Sequence, residues 1–544
     1  MKTKRWAMLA GGIMLVGLLL LVTRAVAEDV GETCVNVSDN VAVAACTRAI
    51  RSGGHNAHRL AALYGNRCAA YINNGKSDEA LSDCNQAIQL DPKNAVAYAN
   101  RCAAHINKGE ADEALSDCNQ AIQLDPKNAT AFHNRAAGYS AKGDYDRAIA
   151  DLDQAIQLDP NNAISYNGRC AARIKKGETD QALSDCNEAI RLDPKNAIAL
   201  RNRATGYFAK GDYDSAIGDL DQVIQLDPTN AMAFYNRGFG YAAKSDYDRA
   251  NGDLSQAIKF DPKNATSYTG RCAARIKKGD IDQALSDCNQ AIQLDPKNAV
   301  AYANRCAAHI NKGEADEALS DCNQAIQLDP KNATAFHNRA AGYSAKGDYD
   351  RAIADLDQAI QLDPNNAISY NGRCAARIKK GETDRALSDC NQAIRLDPKN
   401  AIALHNRAAG YSAKGDYDRA IGDLDQVIQL DPKNAMAFNN RGFGYAAKSD
   451  YDRAIGDLNQ AIQLDPKNAT SYTGRCAARI KKGEIDQALN DCNQVIQLDA
   501  NNAMAYANRC AAHINKGETD QALSDCNQAI LLDPKNAMAF HNRA

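Results

Sequence analysis

The 544-residue chain contains no C-x-x-C sequence, no glycine-rich phosphate loop, no nucleophile set beside a base, and no carboxylate cluster beyond those that read as helix caps or ion pairs. Those absences remove the usual grounds for redox, nucleotide and nucleophilic chemistry. No catalytic residue, metal site or cofactor is assigned, and an enzyme is not expected. Tryptophan occurs once, at Trp6. The 13 prolines occur in one setting only: each follows an aspartate of a series that starts at Asp91 and recurs every 34 residues to Asp533. In that series Asp499 alone lacks its proline, being followed by Ala500.

Negative charge is missing from the first 27 residues. Lys2, Lys4 and Arg5 precede an apolar run from Ala7 to Val22, and Ala25-Val26-Ala27 follows. Residues 1–27 are therefore expected to be a secretory signal peptide with an A-x-A cleavage site. The apolar run is short for a spanning helix, which needs about 20 residues, so no stable membrane insertion is expected after cleavage. Cleavage would remove Trp6 and four cations, taking the net charge from -3 to -7 (60 Lys+Arg against 67 Asp+Glu). A mildly acidic exported chain makes a poor nucleic-acid ligand. Asn36-Val37-Ser38 and Asn128-Ala129-Thr130 are formal glycosylation sequons.

What fills the rest is a repeat. Fourteen 34-residue repeats run in phase from Ala61 to Asn536, typified by Ala95 to Asn128. A period of this length marks helix-pair units, none of which buries its apolar face alone. The expected fold class is all-α, an α-solenoid superhelix of antiparallel helix pairs. Within the typical repeat, Val96 to Lys108 reads as a first helix with Tyr98, Cys102 and His105 on one side, ended by Gly109 in a left-handed turn. Asp112 to Gln123 reads as the second, its start favoured by Glu110 and Asp112. Asp125-Pro126 breaks it, and Asn128 is placed to cap the next first helix. Residues 28–60 are read as a capping half-repeat and linker, because residues 41–50 align with 113–122. Residues 537–544 are a truncated fifteenth repeat, expected to fray or to dock on another chain. A longer period overlies the short one: Ala95 to Asn162 is identical to Ala299 to Asn366, so the array is built of blocks of six repeats.

The pattern resembles the tetratricopeptide repeat family over residues 61–536, most clearly in the repeat that opens at Ala129. Phe132, Ala136 and Tyr139 stand on its first helix, Ala148, Leu152 and Ala155 on its second, and Pro160 closes it. It departs from the family in carrying arginine where leucine is usual, at Arg67, Arg101, Arg135 and onward to Arg543. That substitution bears on how the two helices pack.

Sixteen of the 18 cysteines obey one rule. Eight repeats carry a pair sixteen apart: Cys68 with Cys84, Cys102 with Cys118, Cys170 with Cys186, Cys272 with Cys288, Cys306 with Cys322, Cys374 with Cys390, Cys476 with Cys492 and Cys510 with Cys526. The other six have Ala or Gly in the first place and Leu in the second, as with Ala136 and Leu152. In an antiparallel hairpin the two positions face each other, so a disulfide is feasible if the Cα atoms come within about 7 Å. An export signal favours it. Small buried thiols are the alternative. Cys34 and Cys46 complete the even count. With His55 and His58 they match no zinc spacing, and His105, His309 and His513 read as packing residues.

Each repeat also sets its arginine sixteen residues before an aspartate, as Arg101 before Asp117, which would form a ladder of ion pairs across the hairpins. The sequence Arg173-Ile174-Lys175-Lys176 recurs at Arg275, Arg377 and Arg479. Cations suit a helix C-terminus. If first helices line a concave face, as the resemblance implies, Arg173, Arg275, Arg377 and Arg479 with Lys175, Lys277, Lys379 and Lys481 are groove candidates, and Asn100, His133 and Asn134 are ordinary groove contacts. The function expected is a non-enzymatic scaffold that binds extended protein segments, in the periplasm or outside the cell, with many weak similar sites adding up to avidity. Two other readings stand beside it: a structural or adhesive spacer, and an auxiliary subunit that binds an anionic envelope polymer. Neither the partner nor the oligomeric state is legible.

Overall fold

The computed structural model describes Cys34 and residues 39–544; the expected signal peptide, Trp6 and the sequon at 36–38 lie outside the described residues. Those described residues form thirty helices and no strand. They fall into two compact bodies, one reaching Lys263 and the other starting at Asn264. In each body helices follow one another as hairpins, and each hairpin packs on the next.

Local chemistry sets the helix ends. The first helix of the typical repeat spans Ala95–Lys108 and the second Ala111–Leu124. Asn94 caps the first by accepting the Ala97 amide at 3.0 Å, which satisfies one of the donors that a helix start leaves unpaired. Gly109 closes it at φ +78°, a region an L side chain resists. Asparagine makes the same cap from Asn128 to Asn536. The opening helix differs: it begins at Ala57 rather than Ala61, one turn early, because Asn56 supplies a cap there and accepts from Arg59 at 2.8 Å. The half-repeat before it is one helix, Asp39–Ser52, whose Ala45, Cys46 and Ala49 pack against Leu63.

The bend that ends each second helix is held by hydrogen bonds rather than by proline. The Lys127 amide donates to Asp125 Oδ1 at 3.0 Å, and the Asn128 amide to the Asp125 carbonyl at 3.1 Å. Asp499, which has no proline after it, makes the same two bonds with Asn501 and Asn502, at 3.0 and 3.2 Å. Proline there acts on the unfolded chain, whose freedom it reduces. Ala500→Pro is expected to stabilise the hairpins on either side by about 0.4–1 kcal/mol. Slower amide exchange in Ile485–Leu498 and Ala503–Lys516 would register it, and unchanged or faster exchange there would refute it.

Two kinds of hairpin are interspersed along the chain. Repeats without cysteine put a leucine such as Leu152 in the core, and an aspartate caps their second helix; Asp144 accepts the Arg147 amide at 3.1 Å. In repeats with cysteine no side chain caps that helix. There the two sulfurs are bonded across the hairpin. In the first body the bonds join Cys68 to Cys84, Cys102 to Cys118 and Cys170 to Cys186. In the second they join Cys272 to Cys288, Cys306 to Cys322, Cys374 to Cys390, Cys476 to Cys492 and Cys510 to Cys526. Each of these eight pairs has its Cα atoms 5.4–5.7 Å apart, inside the limit for a bridge. Cys34 and Cys46 make a ninth bond, with Cα atoms 4.9 Å apart. A missing cap costs about 1 kcal/mol. A bridge closing a loop of this length offers up to about 3 kcal/mol.

The arginine that replaces the family's leucine is not a packing fault. Arg101 donates from Nε and Nη2 to both oxygens of Asp117, at 2.7 and 2.6 Å, while its guanidinium lies 5.4 Å from the centre of the Tyr98 ring. Its remaining nitrogen reaches back to Asn85 of the preceding repeat at 2.7 Å. One side chain thus ties three helices. The aspartates of this series are only 3–8% exposed, so each carboxylate depends on its arginine for compensation. Hydrogen bonds to Asp117 hold Arg101 above the ordinary arginine value, against the opposing effect of burial.

Candidate functional site

Between consecutive first helices the packing leaves space. In the first body a cavity of about 430 Å³ lies between Ala129–Ala141, the second helix Tyr145–Leu158, and the next first helix Ala163–Lys176. The floor is Ala136, Leu152 and Ala172; the sides are His133, Ile164 and Lys175. Small residues open it, and Gly168 lets the helices close beneath it. A Cβ on Gly168 would meet Leu152 at 3.2 Å and His133 at 3.4 Å. The second body has the counterpart 204 residues on, a cavity of about 420 Å³ lined among others by His337, Leu356, Ile368 and Lys379.

The charges around the first cavity sort themselves. Arg173 donates to Asp185 at 2.7 Å, the carboxylate that Arg169 also holds. Lys176 is paired with Asp146 at 2.7 Å and Glu178 at 2.6 Å. Arg377 and Lys380 repeat these contacts with Asp389, Asp350 and Glu382. Arg275 and Arg479 are spent in the same way on Asp287 and Asp491. Four of the expected groove residues are therefore braces within their own hairpins. Lys175, Lys277, Lys379 and Lys481 are exposed and make no ion pair with a described residue. Lys175 and Lys379 stand at the two cavities.

Asn100 and Asn134 are braces too: their amides donate to the Gly65 and Ala99 carbonyls, at 3.2 and 3.0 Å, tying neighbouring first helices. His133 does line the cavity. Its Nδ1 and that of His337 are buried without a hydrogen-bond partner among the described residues. Burial pushes both imidazoles below the usual histidine value, with Lys277 adding to the effect at His337, so both are neutral at pH 7. The wall thus combines apolar surface, a neutral ring nitrogen and one free ammonium. Such a surface suits an extended chain that carries apolar and acidic groups.

Several site residues escaped the sequence reading. Ile164 and Ile368 are 61% and 58% exposed at the rims. A further cavity of about 430 Å³ in the second body is lined by Ser412, Tyr417, Asn440 and Phe443. Phe443 also reaches toward the next repeat. Its ring atoms come within 2.7 Å of where a Cβ on Gly474 would lie, and so occupy the place that is open beside Gly168 and Gly372. Cys34, Cys46, His55 and His58 do not form a ligand set, since the cysteines are bonded to each other, His55 meets the Ala49 carbonyl at 2.7 Å, and His58 meets Asp91 at 3.2 Å.

Family models described as tetratricopeptide repeat match residues 61–94, 129–162 and 333–366, residues 275–338, and residues 406–469. One described as TPR repeat matches 206–245, and a model of the protein prenyltransferase alpha subunit repeat matches the short stretch 111–137. No curated protein matches the sequence. Among solved structures, the APC/C hetero-tetramer Cut9-Hcn1 is similar at a TM-score of 0.55 and 16% identity, covering 82% of this chain and 95% of that one. A tetratricopeptide repeat protein from Parabacteroides merdae is 20% identical over 45% of this chain and 97% of its own, at a TM-score of 0.40. YrrB, described as a TPR protein with an unusual peptide-binding site, is 22% identical over 34% of this chain and 96% of its own, at 0.30. The Cut9-Hcn1 match shows the same solenoid fold, with consecutive helices paired.

Proposed function

Because this chain belongs to the tetratricopeptide repeat family, we propose that it is a non-enzymatic scaffold that holds extended protein segments along its first helices, in the periplasm or outside the cell. One observation carries the reading. Most charged groups of the hairpins are engaged in braces and caps, and at the His133 and His337 cavities an unpartnered neutral imidazole nitrogen and a lysine without an ion pair stand together beside apolar walls. An array stabilised only for stiffness has no use for unspent groups at recurring cavities, which disfavours the spacer. Nine disulfides and the basic-apolar leader favour an oxidising compartment. A polymer grip has less support, because the arginine of each Arg-Ile-Lys-Lys step is engaged within its hairpin.

The natural plug supplies the test. Phenylalanine is already tolerated at the equivalent position, Phe443, so Ala137→Phe with Ala341→Phe should close both cavities and leave the helices intact. Peptides captured by the full chain from a random display library are expected to bind the double variant at least about tenfold more weakly. Their affinity should change little between ~0.15 M and ~1 M salt, over which the screening length falls from about 8 Å to about 3 Å. Undiminished binding by the double variant would reject these cavities as the site. A steep loss with salt would favour the anionic polymer.

A further inference from the structure

We infer that the cavity between the first helices Ala401–Ala413 and Ala435–Ala447 is a socket for the phenylalanine side chain of a bound peptide. The inference rests on the scaffold reading and names what one site of it takes. The cavity, of about 430 Å³, is lined by Ala409, Ser412, Tyr417, Asn440, Phe443 and Gly444. It lies on the same row of first helices as the Lys379 cavity, two repeats further along.

The chain itself shows what fits. In the first body, 204 residues earlier, Phe208 stands where Ser412 does. Its ring meets Phe239 edge-on with centroids 5.7 Å apart, and Tyr213 at 6.3 Å. It also comes to 3.1 Å from where a Cβ on Gly240 would sit. Each of these three neighbours has its counterpart in the open cavity: Phe443, Tyr417 and Gly444. Even the aliphatic wall is kept, since a Cβ on Gly240 would meet Ile217 at 3.0 Å and one on Gly444 would meet Ile421 at 3.1 Å. What the second body lacks is the ring. Ser412 in place of Phe208 and Ala409 in place of Thr205 shorten two side chains here and leave Phe443, Tyr417, Gly444 and Ile421 standing.

The chemistry of the walls favours an aromatic occupant over an aliphatic one. Phe443 and Tyr417 offer ring faces and edges for the tilted contacts that aromatic pairs prefer. Gly444 supplies the clearance a flat ring needs, as Gly240 does for Phe208. An apolar cavity of ~150 Å³ already takes a benzene molecule, so this space admits a phenyl group and the start of its backbone. Phe443 is 38% exposed, so a ring arriving from solvent meets it directly. Asn440, on the wall, has its amide bonded to His405 Nε2 at 3.0 Å.

The experiment uses the full chain and two variants: Ser412→Phe, which should fill the socket as Phe208 fills its counterpart, and Phe208→Ser, which should open a second one. A random peptide display library is selected on each, and recovered peptides are measured by calorimetry. Expected for the natural chain is enrichment of phenylalanine at one position, with about a tenfold loss of affinity when that residue is changed to alanine. Ser412→Phe should lose these peptides by a similar factor at unchanged helix content, and Phe208→Ser should bind two per chain instead of one. Peptides retained without aromatic enrichment, or held equally well by Ser412→Phe, would overturn the socket and leave the scaffold reading standing. A chain that retains no peptide overturns both. Should Ser412→Phe lose helix content, the stoichiometry of Phe208→Ser decides, and one peptide per chain there would count against the socket.

Discussion

Replacing Asp219 by alanine is expected to cost its hairpin about 3–5 kcal/mol. Asp219 is 3% exposed and takes two hydrogen bonds from Arg203, at 2.8 and 2.6 Å, while the third guanidinium nitrogen reaches Asn187 of the preceding repeat at 2.8 Å. The Arg203 side chain is only 19% exposed. Removing the carboxylate therefore strands a cation that cannot turn to water without pulling apart two repeats. Removing both charges is different. The buried pair is held by mutual compensation rather than by net gain, so Arg203→Leu with Asp219→Ala should recover most of the loss. Hydrogen exchange over Ala197–Lys210 and Tyr213–Leu226 is the measurement, because in a stack of nearest-neighbour contacts the damage stays local. A double variant damaged by the sum of the two single substitutions would show that the arginine and aspartate contribute independently, and one no more stable than Asp219→Ala would show that the stranded cation costs nothing; either result would sink the ladder account.

Reduction of the disulfides is expected to divide the hairpins into two populations. Where the bond between Cys102 and Cys118 is cut, Ala95–Leu124 loses its cross-link and has no side-chain cap on the second helix to fall back on. Chain entropy puts the loss at about 3 kcal/mol, or about a hundredfold faster amide exchange. The neighbouring hairpin, Ala129–Leu158, has Leu152 in its core and Asp144 at its helix start, and should change by only a few-fold through its shared face. The same contrast should recur at each junction of the two kinds of hairpin. Uniform acceleration would mean that the array opens as one piece. No acceleration would mean that these cysteines act as buried thiols, and non-reducing mass mapping of the purified chain would then find them unbridged.

Much of this structure was legible in the residues themselves. Helix limits came within a residue or two at Ala95–Lys108 and Ala111–Leu124 because glycine, the aspartate bend and asparagine act on their own neighbours. The cysteine and arginine–aspartate pairings sixteen apart were legible for a similar reason: both partners lie in one hairpin whose geometry the repeat length sets. That Asn100 and Asn134 also brace neighbouring first helices was not legible, because their acceptors are backbone carbonyls 35 residues earlier, and a carbonyl leaves no mark in a sequence.

By itself, then, the sequence determined the period, the asparagine caps and the cysteine and arginine–aspartate pairings sixteen apart. The tertiary structure alone decided which groups stay free. Lys176 is spent because Asp146 lies 30 residues behind it, whereas Lys175, one position earlier, points to a different side and is not. Whether space opens beside Gly168 or closes beside Gly474 turns on Ala137 or Phe443 in the preceding repeat. These outcomes arise where one repeat meets the next. There the volume left over is the small difference between two packed surfaces, and a single ring consumes it.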